Sequence, residues 1–183
     1  MVEREPIRTM YRGYELVTAP PPSSGGVALA QILNIIEPWP INELDPVQRA
    51  HLLVEAMRRA YRDRAIYLGD PDFVDMPLDM LTSRHYAAGL RASIRHDRAT
   101  PSAMLAGNRE LREGSDTTHY SIMDADGNMV AATLTVNLAF GNRFMVPGTG
   151  FVLNNEMDDF SAKEGEPNAF GLIGFKANAI EPR

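Results

Sequence analysis

Two adjacent threonines, Thr117 and Thr118, lie where an acidic, glycine-containing tract meets the first residues of a predicted β-hairpin. A threonine hydroxyl is a weak nucleophile unless a base lies beside it. If the chain is cut before Thr117, the α-amino group of that residue, with an ordinary pKa of about 7.7 to 8.0, can serve as the base. Cleavage between Asp116 and Thr117 is therefore predicted to create a nucleophilic site.

His119 is a second candidate base, because alternate residues of a strand share a face and His119 is two positions from both Thr117 and Ser121. A general base must come within hydrogen-bond reach of the proton that it removes. Two positions along a strand separate side chains by more than this reach. The terminal amine is therefore the favoured base.

Two other motifs suggest ligand binding at first sight. Asp124, Asp126 and Asn128 alternate like part of a calcium loop, but the glycine is misplaced and the distal glutamate is missing, so a turn is predicted. Ser23-Ser24-Gly25-Gly26 lacks the Gly-Lys-Ser/Thr of a phosphate loop and is interpreted as a helix cap. The chain has no cysteine. No metal and no cofactor are therefore expected.

Composition limits the class of protein. The 183 residues are 44% hydrophobic and 23% charged, which is typical of a soluble globular domain with a buried core. The net charge of -6 argues against general nucleic-acid binding, which depends on clustered Lys and Arg. No apolar run approaches the roughly 20 residues of a membrane span.

The first part of the chain, residues 1–116, has the periodicity of helices. A short strand around Tyr14 precedes predicted helices over residues 27–37, from Asp45 to Leu68, and from Ser83 onward. In the longest helix, an apolar face is predicted from residues spaced three and four apart: Val47, Ala50, Val54, Met57, Tyr61, Ala65 and Leu68. Its polar face carries Arg49, Glu55, Arg58, Arg62 and Asp63. Residues 95–116 are predicted to be an exposed linker.

From Thr117 the period changes to two. Tyr120 and Ile122 are predicted to share a face with Val130, Ala132 and Leu134 across an Asp-Gly turn. The opposite face of this hairpin is polar and carries Thr117, His119, Thr133, Thr135 and Asn137. Another strand is predicted over residues 150–153. The chain is therefore predicted to be α+β, with a mainly helical part over 1–116 and a β-rich part over 117–183.

Several segments together resemble the γ-glutamyltranspeptidases, also called γ-glutamyltransferases or glutathione hydrolases: "PPPSSGGVALAQILNIIE", "YRDRAIYLGDPDFVDMPLDMLTSRHYA", "TTHYSIMDADGNMVAATLTVNLAFG" and "GTGFVLNNEMDDFSAKEGEPNAFGLIG". The resemblance implies an N-terminal nucleophile hydrolase with an αββα sandwich, part of which lies in this chain. It implies a precursor that cuts itself into a large and a small subunit. Residues 1–116 correspond to the end of the large subunit and residues 117–183 to the first half of the small one. A periplasmic or secreted location is also implied.

The resemblance also assigns roles to residues. Thr117 matches the nucleophile that begins the small subunit, and Thr135 matches the threonine that orients it. Asn137, Glu156 and Asp159 match the residues that receive the α-amino group of the donor. Residues 163–174 resemble the lid loop, with Phe170 at its aromatic position.

The implied reaction is transfer of a γ-glutamyl group from glutathione or another γ-glutamyl amide to water or an amino acceptor, through an ester on Thr117. Alternatives are an acylase acting on a glutaryl-type β-lactam side chain, a poly-γ-glutamate-processing relative, and an inert fragment or binding module. Asn137 and Asp159 favour a donor with a free α-amino group. The family's carboxylate-binding arginine, Ser-Ser pair and Gly-Gly oxyanion hole are outside these 183 residues, so the isolated chain is expected to be inactive and to associate.

Overall fold

The computed structural model of the protein describes residues 3–105, 117–163, 165–169, 171 and 176–180. Its helices and strands follow in the order β1 (Ile7–Tyr11), β2 (Tyr14–Thr18), α1 (Gly25–Ile36), α2 (Pro46–Tyr67), α3 (Leu78–Leu81), α4 (Arg84–Ala92), β3 (Thr118–Met123) and β4 (Met129–Leu134). Short 3₁₀ helices lie at Ser102–Met104, Glu156–Asp159 and Lys176–Asn178. The mixture of helix and strand agrees with the predicted α+β class.

The helices form the part of the structure that has a buried core. One apolar cluster joins α1, α2 and α4 and contains Ile35, Ile36, Ile41, Leu52, Ala56, Ala87 and Ile94. A second cluster contains Val27, Leu68 and Leu81. The antiparallel hairpin β1-β2 adds Tyr11 and Ile7 to these clusters. The strand expected around Tyr14 is confirmed, and its partner β1 was not predicted.

Local signals correctly placed the starts of α2 and α4. The Asp45 carboxylate accepts hydrogen bonds from the backbone N–H groups of Val47 and Gln48, and Pro46 occupies the first turn of α2. The Ser83 hydroxyl likewise accepts from the backbone N–H of Tyr86 at the start of α4. These caps satisfy donors that have no partner within a helix.

The predicted inward face of α2 is wrong. Val47 is 78% exposed and Val54 is 51% exposed, whereas Glu55 and Asp63, which were assigned to the solvated face, are each 1% exposed. The helix instead packs through a different stripe, consisting of Leu52, Glu55, Ala56, Arg59, Ala60 and Asp63. Small alanines allow close packing on this stripe, and its charged members have partners of their own, as described below.

The predicted antiparallel hairpin of β3 and β4 is confirmed, and the structure gives its register. Tyr120 pairs with Ala132, and Ile122 pairs with Val130. Asp124 closes the turn, because its carboxylate accepts from the backbone N–H groups of Asp126 and Asn128. The strand expected over residues 150–153 is reduced to an isolated bridge between Met145 and Val152.

The described residues do not show the αββα sandwich. Their two sheets are separate two-stranded hairpins, β1-β2 and β3-β4. The apolar side chains of the second hairpin are exposed, including Ile122 and Leu134. Among the same residues, no helix combines the length and the apolar character needed to cross a bilayer.

Candidate active site

Thr117 immediately precedes β3 and is exposed. Its hydroxyl donates a hydrogen bond of 3.0 Å to the hydroxyl oxygen of Thr135, 18 residues further along the chain. The pairing of Thr118 with Leu134 places these two threonines next to each other at the open end of the hairpin. The hairpin register therefore brings the predicted nucleophile to its predicted orienting residue.

Thr135 is held in turn by the backbone that follows it. Its hydroxyl oxygen accepts a 2.8 Å hydrogen bond from the backbone N–H of Asn137. Asn137 is 5% exposed and has a φ of 72°, a left-handed conformation that asparagine adopts more readily than most residues. Thr117, Thr135 and Asn137 thus form one continuous chain of hydrogen bonds.

Asn155 connects this chain to the acidic segment. The Asn137 side-chain amide donates to the backbone oxygen of Asn155 at 2.9 Å, and the Asn155 side-chain oxygen accepts from the backbone N–H of Leu138 at 3.1 Å. Asn155 directly precedes the 3₁₀ helix Glu156–Asp159. This role of Asn155 was not predicted, and the one sequence feature that could have suggested it is the adjacent pair Asn154-Asn155.

His119 belongs to the same polar face but has partners other than the nucleophile. Its Nδ1 lies 2.8 Å from the Thr133 hydroxyl, and its Nε2 lies 3.4 Å from the Ser121 hydroxyl. The described residues show no hydrogen bond from His119 to Thr117. The imidazole therefore extends a polar row along the hairpin, and the prediction that two positions along a strand keep it out of hydrogen-bond reach is wrong for Ser121.

Glu156 and Asp159 lie together on the acidic 3₁₀ helix. Burial raises the pKa of Glu156, and the nearby Asp159 charge raises it further. The Oε1 atom of Glu156 is buried and has no hydrogen-bond partner among the described atoms. Two neighbouring carboxylates, one of which has a buried oxygen without a partner among the described atoms, favour a cation that can donate hydrogen bonds.

Asp159 borders a cavity of about 190 Å³ between this segment and α2. Burial raises the pKa of Asp159, the Arg64 guanidinium on the cavity wall opposes this effect, and Asp158 adds to it. Asp158 itself accepts a hydrogen bond of 3.1 Å from the backbone N–H of Ala169. Both aspartates line the cavity, but their environments differ, because Asp158 accepts from Ala169 whereas Asp159 is influenced by the opposing charge of Arg64.

Arg64 and Ser24 were not predicted as site residues. The Nε atom of Arg64 donates a 2.9 Å hydrogen bond to the Ser24 hydroxyl, and both residues line the cavity. Ser24 occupies the N-cap position of α1 but makes no side-chain cap, so the predicted capping role is wrong for Ser24, whereas the Ser23 hydroxyl accepts a 3.4 Å hydrogen bond from the backbone N–H of Gly25. Position 26 is occupied by glycine, and a Cβ atom there would overlap the backbone oxygen of Ala19.

The structure groups the predicted residues into two sets. Thr117, Thr135 and Asn137 are joined by hydrogen bonds, whereas Glu156 and Asp159 share none with Thr117 among the described residues. Asp116 and Phe170 lie outside the described residues, as do much of the predicted lid and linker. Within the described ranges, no group of three or more histidine, aspartate or glutamate side chains is arranged to hold a metal ion.

Comparison with protein families gives one match over the whole chain. The model of the family described as gamma-glutamyltranspeptidase matches residues 1–183. A glutathione hydrolase proenzyme of Pseudomonas sp. (strain A14) is 52% identical over 182 residues, which are 98% of this chain and 32% of that protein. The chain thus spans about a third of the length of the curated relatives that it matches.

Two solved structures show similarity over different shares of the chain. A gamma-glutamyltranspeptidase of Helicobacter pylori is 42% identical with a TM-score of 0.54, covering 62% of this chain and 33% of that one. A cephalosporin acylase of Bacillus halodurans is 27% identical with a TM-score of 0.70, covering 97% of this chain and 29% of that one.

Proposed function

Because the chain belongs to the γ-glutamyltranspeptidase family, we propose that it acts in γ-glutamyl transfer from glutathione or another γ-glutamyl amide to water or an amino acceptor. The observation that carries this proposal is the 3.0 Å hydrogen bond between the hydroxyls of Thr117 and Thr135. It orients the side chain of the residue that the family pattern assigns as nucleophile. A fixed rotamer reduces the entropy lost on reaching the transition state.

Self-cleavage is the first step of the proposal. The Thr117 hydroxyl oxygen attacks the carbonyl carbon of Asp116, the peptide C–N bond breaks, and the hydroxyl proton ends on the released nitrogen. Water then hydrolyses the resulting ester and leaves a carboxyl group on Asp116 and a free amino group and hydroxyl on Thr117. The proposed products are a large subunit ending at Asp116 and a small subunit beginning at Thr117, packed in an αββα sandwich.

The second step uses the new amino terminus as the base. The neutral α-amino group takes the proton of the Thr117 hydroxyl as the oxygen attacks the γ-carbonyl carbon of the donor. The proton passes to the departing amine, and a γ-glutamyl ester remains on Thr117. Water or an amino acceptor attacks this ester, gives its proton to the amino group, and restores the hydroxyl.

Donor recognition is assigned to the acidic 3₁₀ helix and Asn137. The donor carries an α-ammonium group, and the carboxylates of Glu156 and Asp159 can accept its hydrogen bonds. Hydrogen bonding of the Asn137 Nδ2 to Asn155 assigns Oδ1 as the acceptor that remains for the ligand. The proposed lid over residues 163–174, with Phe170, would cover the bound donor.

Paired threonine variants test this proposal in the protein expressed from its complete gene. Thr117→Ala should abolish release of the chromophore from a γ-glutamyl anilide, and Thr117→Ser should retain part of it. Thr118→Ala is the matched control, because Thr118 is adjacent but has no hydrogen bond to Thr135 among those described. Equal activity of the Thr117→Ala and Thr118→Ala proteins would remove the basis for the assigned nucleophile.

Acylase action is a second candidate, favoured by the similarity over 97% of the chain to the cephalosporin acylase. A glutaryl side chain lacks the α-amino group, so its binding would not need the two carboxylates. Comparing a γ-glutamyl anilide with a glutaryl anilide separates the candidates. Preference for the glutaryl compound would favour the acylase function, whereas we expect preference for the γ-glutamyl compound.

A further inference from the structure

A buried ion pair in α2 is not used by the proposed chemistry. Glu55 and Arg59 are each 1% exposed, and the Arg59 Nη1 atom lies 2.7 Å from the Glu55 Oε2 atom. Arg58 makes a second ion pair of 2.6 Å with Glu55 Oε1. Arg59 is also among the largest fully buried side chains of the described residues. Burying such charges is costly unless their hydrogen bonds are well satisfied.

The remaining partners of this pair all lie in one later segment. Glu55 accepts from both the backbone N–H and the hydroxyl of Thr100, at 3.1 and 2.5 Å. Arg58 donates to the backbone oxygen of Thr100 at 2.7 Å and to the Ser102 hydroxyl at 3.1 Å. Arg59 donates to the hydroxyl and the backbone oxygen of Ser93. Every polar group of Thr100 is therefore bonded to α2.

A network that served stability alone would not need this arrangement. Well-packed apolar residues usually stabilise a core as much as a buried ion pair does, whereas directional polar networks can specify one geometry. Here the geometry that is specified is the path of residues 93–102 across α2. This segment leads to the bond between Asp116 and Thr117, which is 15 residues beyond Ser102.

We propose that Glu55, Arg58 and Arg59 are positioning residues for self-cleavage, because they fix Thr100 and Ser102 as the upstream anchor of the chain that enters Thr117. This inference rests on the proposed cleavage before Thr117. We refer to the six residues Glu55, Arg58, Arg59, Ser93, Thr100 and Ser102 as the α2 clamp.

Two physical effects make an upstream anchor useful. Strain can act on a peptide bond only if the chain is held on both sides, and β3 holds the downstream side. An anchor also shortens the tether, which is the stretch of chain between the last anchored residue and Thr117. Leu105 is also buried, but it is joined to the clamp because its backbone N–H donates to the backbone oxygen of Ser102. Once both are released, the nearest buried residue is Ile94, and the tether of 15 residues that begins at Ser102 grows to 23 residues. Effective concentration scales with about the −3/2 power of length, so length alone accounts for roughly a twofold loss of rate.

After cleavage, the chain before Thr117 is no longer joined to the nucleophile. The α2 clamp should therefore influence the rate of self-cleavage and leave turnover by the cleaved enzyme unchanged. A residue with a purely structural role would not separate these two rates.

The test follows cleavage of the complete precursor by gel and mass spectrometry after synthesis. The variant Glu55→Gln/Arg59→Met neutralises both charges together, so that neither is left buried and unpaired. We expect self-cleavage to slow at least about twofold, and kcat and KM of the cleaved fraction on a γ-glutamyl anilide to stay at wild-type values. Thr100→Val gives a milder second variant if the double variant does not fold, and Thr100→Ser should restore the wild-type rate.

The matched control is Gln31→Met/Asp63→Asn. It removes a second buried hydrogen bond of α2, 2.6 Å long, that has no partner in residues 93–102. Slowing of both proteins in proportion to their loss of Tm would show a purely structural role and overturn the inference. A wild-type cleavage rate in the clamp variants would overturn it as well. A wild-type precursor that is never cut before Thr117 would instead refute the proposed function and, with it, this inference.

Discussion

The Ser24 hydroxyl accepts a 2.9 Å hydrogen bond from Arg64 Nε, 40 residues away, instead of capping the helix that it begins. A capping serine usually stabilises its helix by about 1 kcal/mol, and this contribution is absent here. The bond fixes the guanidinium in the wall of the cavity that Asp159 borders. The hydrogen bond therefore joins the start of α1 to α2 and holds the Arg64 charge close to Asp159 in the proposed ammonium site.

The first prediction concerns the pH dependence of ligand binding. The charged groups around Asp159 are Glu156 and Asp158 on its own helix, Arg64 from α2, and Lys163 and Glu166, which also border the cavity. Because Arg64 lowers the pKa of Asp159, Arg64→Met should raise that pKa. As the solution is acidified, Asp159 should then become protonated at a higher pH in the variant than in the wild type. Inhibition by L-glutamate, measured as Ki against pH, should therefore begin to weaken at that higher pH.

Neighbouring serines provide the control for this prediction. Ser24→Ala should move the Ki profile in the same direction as Arg64→Met but less far, because the guanidinium remains and only its anchor is lost. Ser23→Ala should leave the profile unchanged, since the side-chain hydrogen bond described for Ser23 is the 3.4 Å bond that its hydroxyl accepts from the backbone N–H of Gly25, outside the Arg64 contact. Identical profiles for all four proteins would contradict the linkage.

Thr135→Val should reduce kcat/KM for a γ-glutamyl anilide. The substitution removes the acceptor for both the Thr117 hydroxyl and the Asn137 N–H while keeping the side-chain shape. Loss of two hydrogen bonds at about 0.5 to 1.5 kcal/mol each corresponds to a fall of roughly 5- to 150-fold. Thr135→Ser, which keeps the hydroxyl, should remain within a few fold of the wild type. A fully active Thr135→Val protein would show that the bond does not orient the nucleophile.

Asp159→Asn should change which donor is preferred. Removing the hydrogen-bonded counter-charge of an ammonium group weakens its binding free energy by about 2 to 5 kcal/mol. Turnover of the γ-glutamyl anilide should therefore fall by a factor between about 30 and several thousand. Hydrolysis of a glutaryl anilide, which has no ammonium, should be affected much less. Parallel losses on both compounds would indicate that Asp159 supports the structure rather than the ammonium.

The stability of the helical part should depend on pH through Glu55. Burial alone would raise the pKa of Glu55, but hydrogen bonds from Thr100, Arg59 and Arg58 together outweigh burial and lower it from 4.5 to about 2. A folded-state pKa below the unfolded value contributes stability above pH 4.5, and this stability is lost as the pH falls toward 2. The total contribution is about 3 kcal/mol. Free energies of urea unfolding should therefore fall over this window.

Two variants isolate the contribution of Glu55. Glu55→Gln should flatten the free energy of unfolding between pH 4.5 and 2, at the cost of lower stability near neutral pH. Glu15→Gln is the control, because Glu15 forms an ion pair with Arg8 in which both side chains are more than half exposed. Its profile should match that of the wild type. An unchanged slope in Glu55→Gln would place the responsible group elsewhere.

Local features of this chain were predictable from sequence. The Asp45 and Ser83 caps and the pairing of Ile122 with Val130 depend on residues close in sequence, where turn and cap chemistry act directly. The partnership of Thr117 with Thr135 was expected from the family resemblance, and the hairpin register brings the two side chains together. Each of these features is decided within about twenty residues of chain.

The failures involve partners far apart in sequence. Periodicity placed Glu55 on the solvated face of α2, but Thr100, 45 residues later, supplies the hydrogen bonds that allow its burial. Ser24 matched the preferences of a cap, but Arg64 competes successfully for its hydroxyl. A buried polar residue depends on groups that only the folded chain brings to it, and no local pattern records them.

The central claim is that Thr117 becomes a chain terminus and then the nucleophile. The most direct measurement is N-terminal sequencing, with intact mass, of the protein purified from its complete gene without added protease. We predict a fragment beginning Thr117-Thr118-His119 in the wild type and a single uncut chain in Thr117→Ala. An uncut wild-type chain with full γ-glutamyl transfer activity would contradict the account.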